Sequence, residues 1–237
     1  SMKNAKIENV LKYAILIILS IIVFTGCTIK NDEEKDIKDK TNEEINYLED
    51  EIFTVVNKYI KGEYTEDSKI NWKDMNKDIQ TINNSLDTIM LDLSEVDISN
   101  DELINFRNQV NDVSIAINNE DANNFMQKIS YLYSLLPNYL EKYSEEKNKV
   151  NIMKLKSLVL SSLSYANSLQ WEEAKSTVGL AESKYKEMMD DVDYMKEYSY
   201  NLNKVYILLG EFKNAVEIEE LELCKQKYIN FIEKIKA

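Results

Sequence analysis

Residues 171–209 read WEEAKSTVGLAESKYKEMMDDVDYMKEYSYNLNKVYILL. Apolar residues recur through this stretch at steps of three and four: Trp171, Ala174, Val178, Ala181, Tyr185, Met188, Val192, Met195, Tyr198, Leu202, Val205 and Leu209. Because an α-helix turns once every 3.6 residues, that spacing lays the apolar side chains along one stripe and predicts helix with a buried seam. As a single piece the helix would be about 58 Å long, more than a compact domain usually holds. Asp190, Asp191 and Asp193 lie at its middle, and short acids compete for backbone hydrogen bonds in a way that favours caps and turns. The seam is therefore expected to break near Asp190 and Asp191 into two helices of ordinary length, and to end at Gly210.

The same pattern extends in both directions. Upstream lie the runs Ile45 to Tyr59, closed by Gly62; Trp72 to Val96; Leu103 to Ile117, with Ser99 or Asn100 as cap; Ala122 to Tyr143; and Ile152 to Leu169. Downstream, a last run carries Phe212, Ala215, Ile218, Leu221, Cys224, Tyr228, Phe231 and Ile235. Pro137 falls inside the fourth run and is expected to kink its helix or split off the last turn, since it lacks an N–H. Ser157, Ser161, Ser162, Ser164 and Ala166 are expected to face Ala174, Gly179 and Ala181, small residues on both sides permitting a tight hairpin. The chain holds only four glycines and one proline, too few for hairpin turns or Gly-rich catalytic loops. The expected fold class is all-α, about seven to eight helices in antiparallel hairpins or a helical bundle with a repeat-like character.

That character rests on Glu120-Asp121-Ala122, Glu172-Glu173-Ala174 and Lys213-Asn214-Ala215, each expected to open a helix after a short turn. The stretch Leu208-Leu209-Gly210-Glu211-Phe212-Lys213-Asn214-Ala215-Val216 resembles the turn of a tetratricopeptide repeat. The alanines are spaced 52 and 41 residues apart, however, and that family's repeat is about 34 residues.

At the N-terminus, Lys3, Lys6 and Lys12 precede the apolar stretch from Tyr13 to Phe24, followed by Thr25-Gly26-Cys27. A basic region, an apolar region and small residues before a cleavage point are the parts of a secretory signal. Phe24-Thr25-Gly26-Cys27 resembles the lipobox of bacterial lipoproteins, with Phe24 where leucine is usual. The resemblance implies diacylglycerol on the sulfur of Cys27, which becomes the new N-terminus on cleavage, and a protein held on the outer face of the cytoplasmic membrane. Residues 1–26 are then signal peptide, with Ser1 read as a remnant of tag removal. Residues 27–42, charged and nearly devoid of apolar side chains, are expected to form a flexible tether, and 43–237 the helical domain.

Composition narrows the function. The net charge is −13, leaving −15 beyond residue 26 because the first 26 residues carry three lysines against one glutamate. Such a surface repels phosphate backbones and anionic lipid heads, which argues against nucleic-acid partners and is compatible with cationic ones. With no histidine in the chain, Ser/His/Asp and Cys/His catalytic arrangements and ordinary zinc sites are excluded. No metal, cofactor or catalytic residue is expected: Met188, Val192 and Met195 read as seam with Asp190, Asp191 and Asp193 solvated beside it, and Glu217, Glu219, Glu220 and Glu222 as a solvated face around inward Ile218 and Leu221. If Cys27 is lipidated, Cys224 has no disulfide partner. Fifteen tyrosines against six phenylalanines suit positions with one apolar and one wet side, and Tyr194, Tyr198 and Tyr206 are the candidate groove for a partner. The expected function is a non-catalytic lipoprotein module that binds protein or peptide. The alternative is a small-molecule or ion-binding lipoprotein serving a transporter or sensor.

Overall fold

The structure is a computed structural model that describes the backbone of residues 2–64 and 69–235, and side chains within 30–62, 69–191, 195–196 and 201–235. The described residues form eight helices and no strand: α1 (Met2–Tyr64), α2 (Trp72–Ser94), α3 (Asn100–Asn118), α4 (Ala122–Tyr143), α5 (Lys147–Asn167), α6 (Trp171–Asp190), α7 (Val192–Glu217) and α8 (Leu221–Lys234). The fold is all-α, as the seams require.

The long seam breaks where the aspartates stand. α6 ends at Asp190, Asp191 is extended (φ −79°, ψ 106°), and its carbonyl accepts from Met195 N at 3.0 Å to begin α7. Ser99 caps α3 with a full capping box: its hydroxyl accepts from Glu102 N at 3.2 Å, and the Glu102 carboxylate accepts from Ser99 N at 2.9 Å. Pro137 does not divide α4. The last turn is held instead by buried Tyr139, Leu140 and Tyr143, with Tyr139 OH donating to the Glu102 carbonyl at 3.0 Å.

Four expectations are corrected. Gly210 does not end the seam, and α7 continues to Glu217, so the turn expected over 208–216 lies inside a helix. A single glycine costs a helix only about 1 kcal/mol, and buried Leu209, Phe212 and Val216 carry the apolar stripe across it. The chain reverses instead at 218–220, which leaves Ile218 exposed rather than inward. The charged stretch 27–42 continues α1 rather than forming a coil: Glu34 and Lys38 pair at i,i+4, Ile37 packs against the core, and buried Thr41 donates to the Ile37 carbonyl at 2.7 Å. Gly62 lies within the last turn of α1, and a Cβ there would come 3.1 Å from Ile70 Cα, so the glycine admits the returning chain rather than stopping the helix.

The fourth correction concerns α5 and α6. Ser162 does face α6, its hydroxyl donating to the buried Ala174 carbonyl at 2.7 Å. Gly179 does not, since a Cβ built there meets nothing within 4 Å. Ser157, Ser161 and Ser164 turn toward α4 instead.

Helices α1 to α4 pack in sequence and α4 closes back on α1; α5 to α8 do the same, α8 closing on α5. The molecule is thus two up-and-down four-helix units joined where α4 packs on α5, around one continuous core. A repetition is present, in a register the alanines do not mark. Asp121 N, Gln170 N and Glu220 N donate to the carbonyls of Ala116, Tyr165 and Ala215, spaced 49 and 50 residues apart. In each turn the preceding residue, Glu120, Leu169 or Glu219, is left-handed at φ 51°, 58° or 56°. This is the closure usually built on glycine, here made three times without one.

Candidate functional site

Of the residues singled out from the sequence, Cys27, Tyr194 and Tyr198 have side chains outside the described set. Tyr206 is 64% exposed on α7, its ring 5.8 Å from that of Tyr185 on α6. It lines neither of the two clefts described below. Met188 is buried while Asp190 and Asp191 are exposed, and Glu219 pairs with Lys175 at 2.7 Å.

The first cleft, about 780 Å³, lies between α4 and α5. Asn123, Gln127, Ser130 and Ser134 fall at helical spacing along α4; Ser157, Ser161, Ser164 and Ser168 do the same along α5. Two stripes of uncharged polar side chains therefore face one another where the two four-helix units meet, with Asp121 and Lys128, the latter paired with Asp112 at 3.6 Å, the two charged residues in the lining. Asn167 Nδ2 donates to Asn123 Oδ1 at 3.0 Å at one end, and Ser134 turns its hydroxyl back to the Tyr131 carbonyl. Tyr131 and Tyr165, 47% and 37% exposed, stand at the edge. Each stripe covers twelve residues, eleven steps or about 16 Å at 1.5 Å per residue, and offers donors and acceptors in neutral form.

The second cleft, about 900 Å³, is enclosed by α1, the start of α5, α7 and the end of α8. On it lie Glu49 of α1 and Lys156 of α5, a buried ion pair 3.7 Å apart. Glu49 Oε2 also accepts from Tyr133 OH at 2.6 Å. Burial and the Glu49 charge hold the Tyr133 phenol well above the usual tyrosine range, so it stays a donor; Tyr228 is raised for the same reasons. Sequence reasoning missed Glu49, Tyr133 and Lys156, although Lys156 carried a signal: it is four residues after Ile152 and three before Val159, on an apolar spacing.

Cys224 is buried and its thiol is pushed up to about 12 by that burial, which makes it an inert packing residue. A third polar cluster joins α1 to α2: Glu44 shares a hydrogen bond with Asp92, and Lys40 pairs with Asp92 at 3.2 Å. Burial first, then Asp92, pushes Glu44 up to about 8, while that hydrogen bond and Lys40 hold Asp92 low.

Comparison with family models, with curated proteins and with solved structures finds no match to this chain. Among the described residues no helix is long and apolar enough to cross a membrane.

Proposed function

We propose that this protein is a bacterial lipoprotein, anchored on the outer face of the cytoplasmic membrane through lipid on Cys27. Its helical domain is a non-catalytic module that binds an extended peptide segment of a partner protein in the α4/α5 cleft. The observation that carries the binding reading is the pair of facing neutral stripes, Asn123-Gln127-Ser130-Ser134 and Ser157-Ser161-Ser164-Ser168. An extended backbone presents an N–H and a C=O at every residue, and amides and hydroxyls satisfy both without fixing a charge. At about 3.3 Å per residue a 16 Å cleft takes roughly five residues. Tyr131 and Tyr165 at the edge supply apolar area with a polar tip, the chemistry enriched at interfaces. The charged basic region, apolar stretch and Phe24-Thr25-Gly26-Cys27 motif support the anchor.

Two experiments test these parts separately. Changing Cys27→Ala should abolish labelling by a fatty-acid analogue and leave the precursor uncleaved; a labelled band in that variant sinks the anchor. Pull-down from membranes with the full chain should lose its partner when Ser161→Trp fills the cleft, and keep it with Tyr206→Ala. The opposite pattern would move the binding face to α7.

A further inference from the structure

The second cleft holds a buried cation that the fold leaves short of partners. Lys156 is 6% exposed. Its ammonium pairs with Glu49 Oε1 at 3.7 Å, beyond hydrogen-bond length. Its next neighbour is the ring of Phe53, 5.9 Å to the centroid. An ammonium has three N–H donors, and one ion-pair partner at this distance leaves room for a further acceptor entering from the cleft. Glu49 is partly committed elsewhere, to Tyr133.

Further positive charge gathers around the same space. Lys147 and Lys149 stand in the first turn of α5, which holds no acid and has no side-chain cap. The helix dipole disfavours cations at that end and favours an anion. Lys204 comes from α7 and Lys234 from α8. None of these four lysines forms an ion pair among the described residues, whereas Lys58, Lys142, Lys175 and Lys213 elsewhere do. Asp50, Glu145 and Glu146 share the rim, so the pocket carries five lysines against four acids in a chain of net charge −13. Between the charges lie apolar walls from Phe53, Ile152, Met153, Val205 and Ile232.

We propose that the pocket between α1, α5, α7 and α8 binds a small amphiphilic anion, a carboxylate or a phosphate monoester on an apolar body. The head group fills the open donors of Lys156 and the rim lysines, and the body lies along Phe53, Met153 and Ile232. The volume is in the range of small-molecule sites. This site is separate from the α4/α5 cleft and does not depend on the peptide-binding reading.

The test is calorimetric titration of the full chain in bilayer nanodiscs, blanked against empty discs, with hexanoate, hexyl phosphate, hexyl glucoside and inorganic phosphate. Saturable one-to-one binding of at least one hexyl anion is expected, tenfold or more tighter than either hexyl glucoside or inorganic phosphate. Which anion binds tells carboxylate from phosphate. The double variant Glu49→Gln/Lys156→Met removes the charge pair while keeping an acceptor for Tyr133, and should weaken binding at least tenfold. Lys204→Gln and Lys234→Gln, at the rim, should each weaken it threefold or more and serve if the double variant does not fold. Binding of hexyl glucoside or inorganic phosphate as tight as the anions, affinity unchanged in the folded variants, or no saturable binding of either anion would overturn the proposal.

Discussion

Replacing Glu44 by glutamine should change how stability depends on pH, and the structure supplies the sign. Glu44 ordinarily titrates at 4.5 and is pushed up to about 8 by burial and by Asp92. Its Oε2 is enclosed without a donor from the described residues, so the protonated carboxyl is the form that suits the folded chain. An acid raised in this way takes up a proton on folding, so its contribution is fully present below about 4.5 and is lost as pH rises through about 8. Unscreened, that span would amount to roughly 5 kcal/mol at about 1.4 kcal/mol per pH unit. Partial exposure to water screens it to about 1–2 kcal/mol. Glutamine keeps a donor for Asp92 and cannot ionise. Urea unfolding followed by circular dichroism should show Glu44→Gln equal to the parent within about 0.5 kcal/mol at pH 5 and more stable by about 1–2 kcal/mol at pH 8.5. Parallel pH profiles, or a variant weaker at pH 8.5, would refute the shared-proton account.

Gly179→Ala should stabilise by about 0.5–1 kcal/mol, because the added methyl meets nothing within 4 Å; a loss in denaturant unfolding would mean α6 is packed there after all. Asp191→Ala should cost about 1 kcal/mol, the worth of a residue at a helix start, whereas exposed Asp190→Ala should stay within about 0.5 kcal/mol; equal effects would place the break elsewhere. A chain beginning at Glu43 should melt below one beginning at Lys30, by about 1–3 kcal/mol in urea, since it lacks Ile37, buried Thr41 and the Lys40 pair with Asp92. Identical stabilities would return 30–42 to the status of a tether.

The seams of α2 and α3 were legible because each helix buries one face, and the residues at steps of three and four are the buried ones, whereas α4, packed on α1, α3 and α5, also buries Met126, Tyr133 and Leu140 beside its seam. Asp191 was legible as a break because its chemistry is local. Gly210 misled because a seam that stays buried on both sides outweighs one poor helix former. The true turns were hidden because Glu120, Leu169 and Glu219 take the left-handed position that composition assigns to glycine. Helix α5 defeated single-seam reading altogether, since it packs against α4, α6 and α8 and is buried nearly all round. Ser157, Ser161 and Ser164 of the α4/α5 cleft were noticed but given to α6, because spacing places residues on a face without naming the helix opposite, and Ser130, Ser134 and Ser168 were passed over. Lys156 was passed over because a lone lysine on an apolar spacing reads as a snorkelling surface residue until a neighbour is seen to cover it.

The central claim is that the α4/α5 cleft receives a partner's peptide, and site-specific photo-cross-linking tests it most directly. A benzophenone amino acid in place of Tyr131, at the exposed edge of the cleft, in the full chain in membranes should give one discrete adduct, mapping to an extended segment of a single partner protein, while the same group at position 206 gives none. An adduct at 206 with none at 131 would contradict the claim.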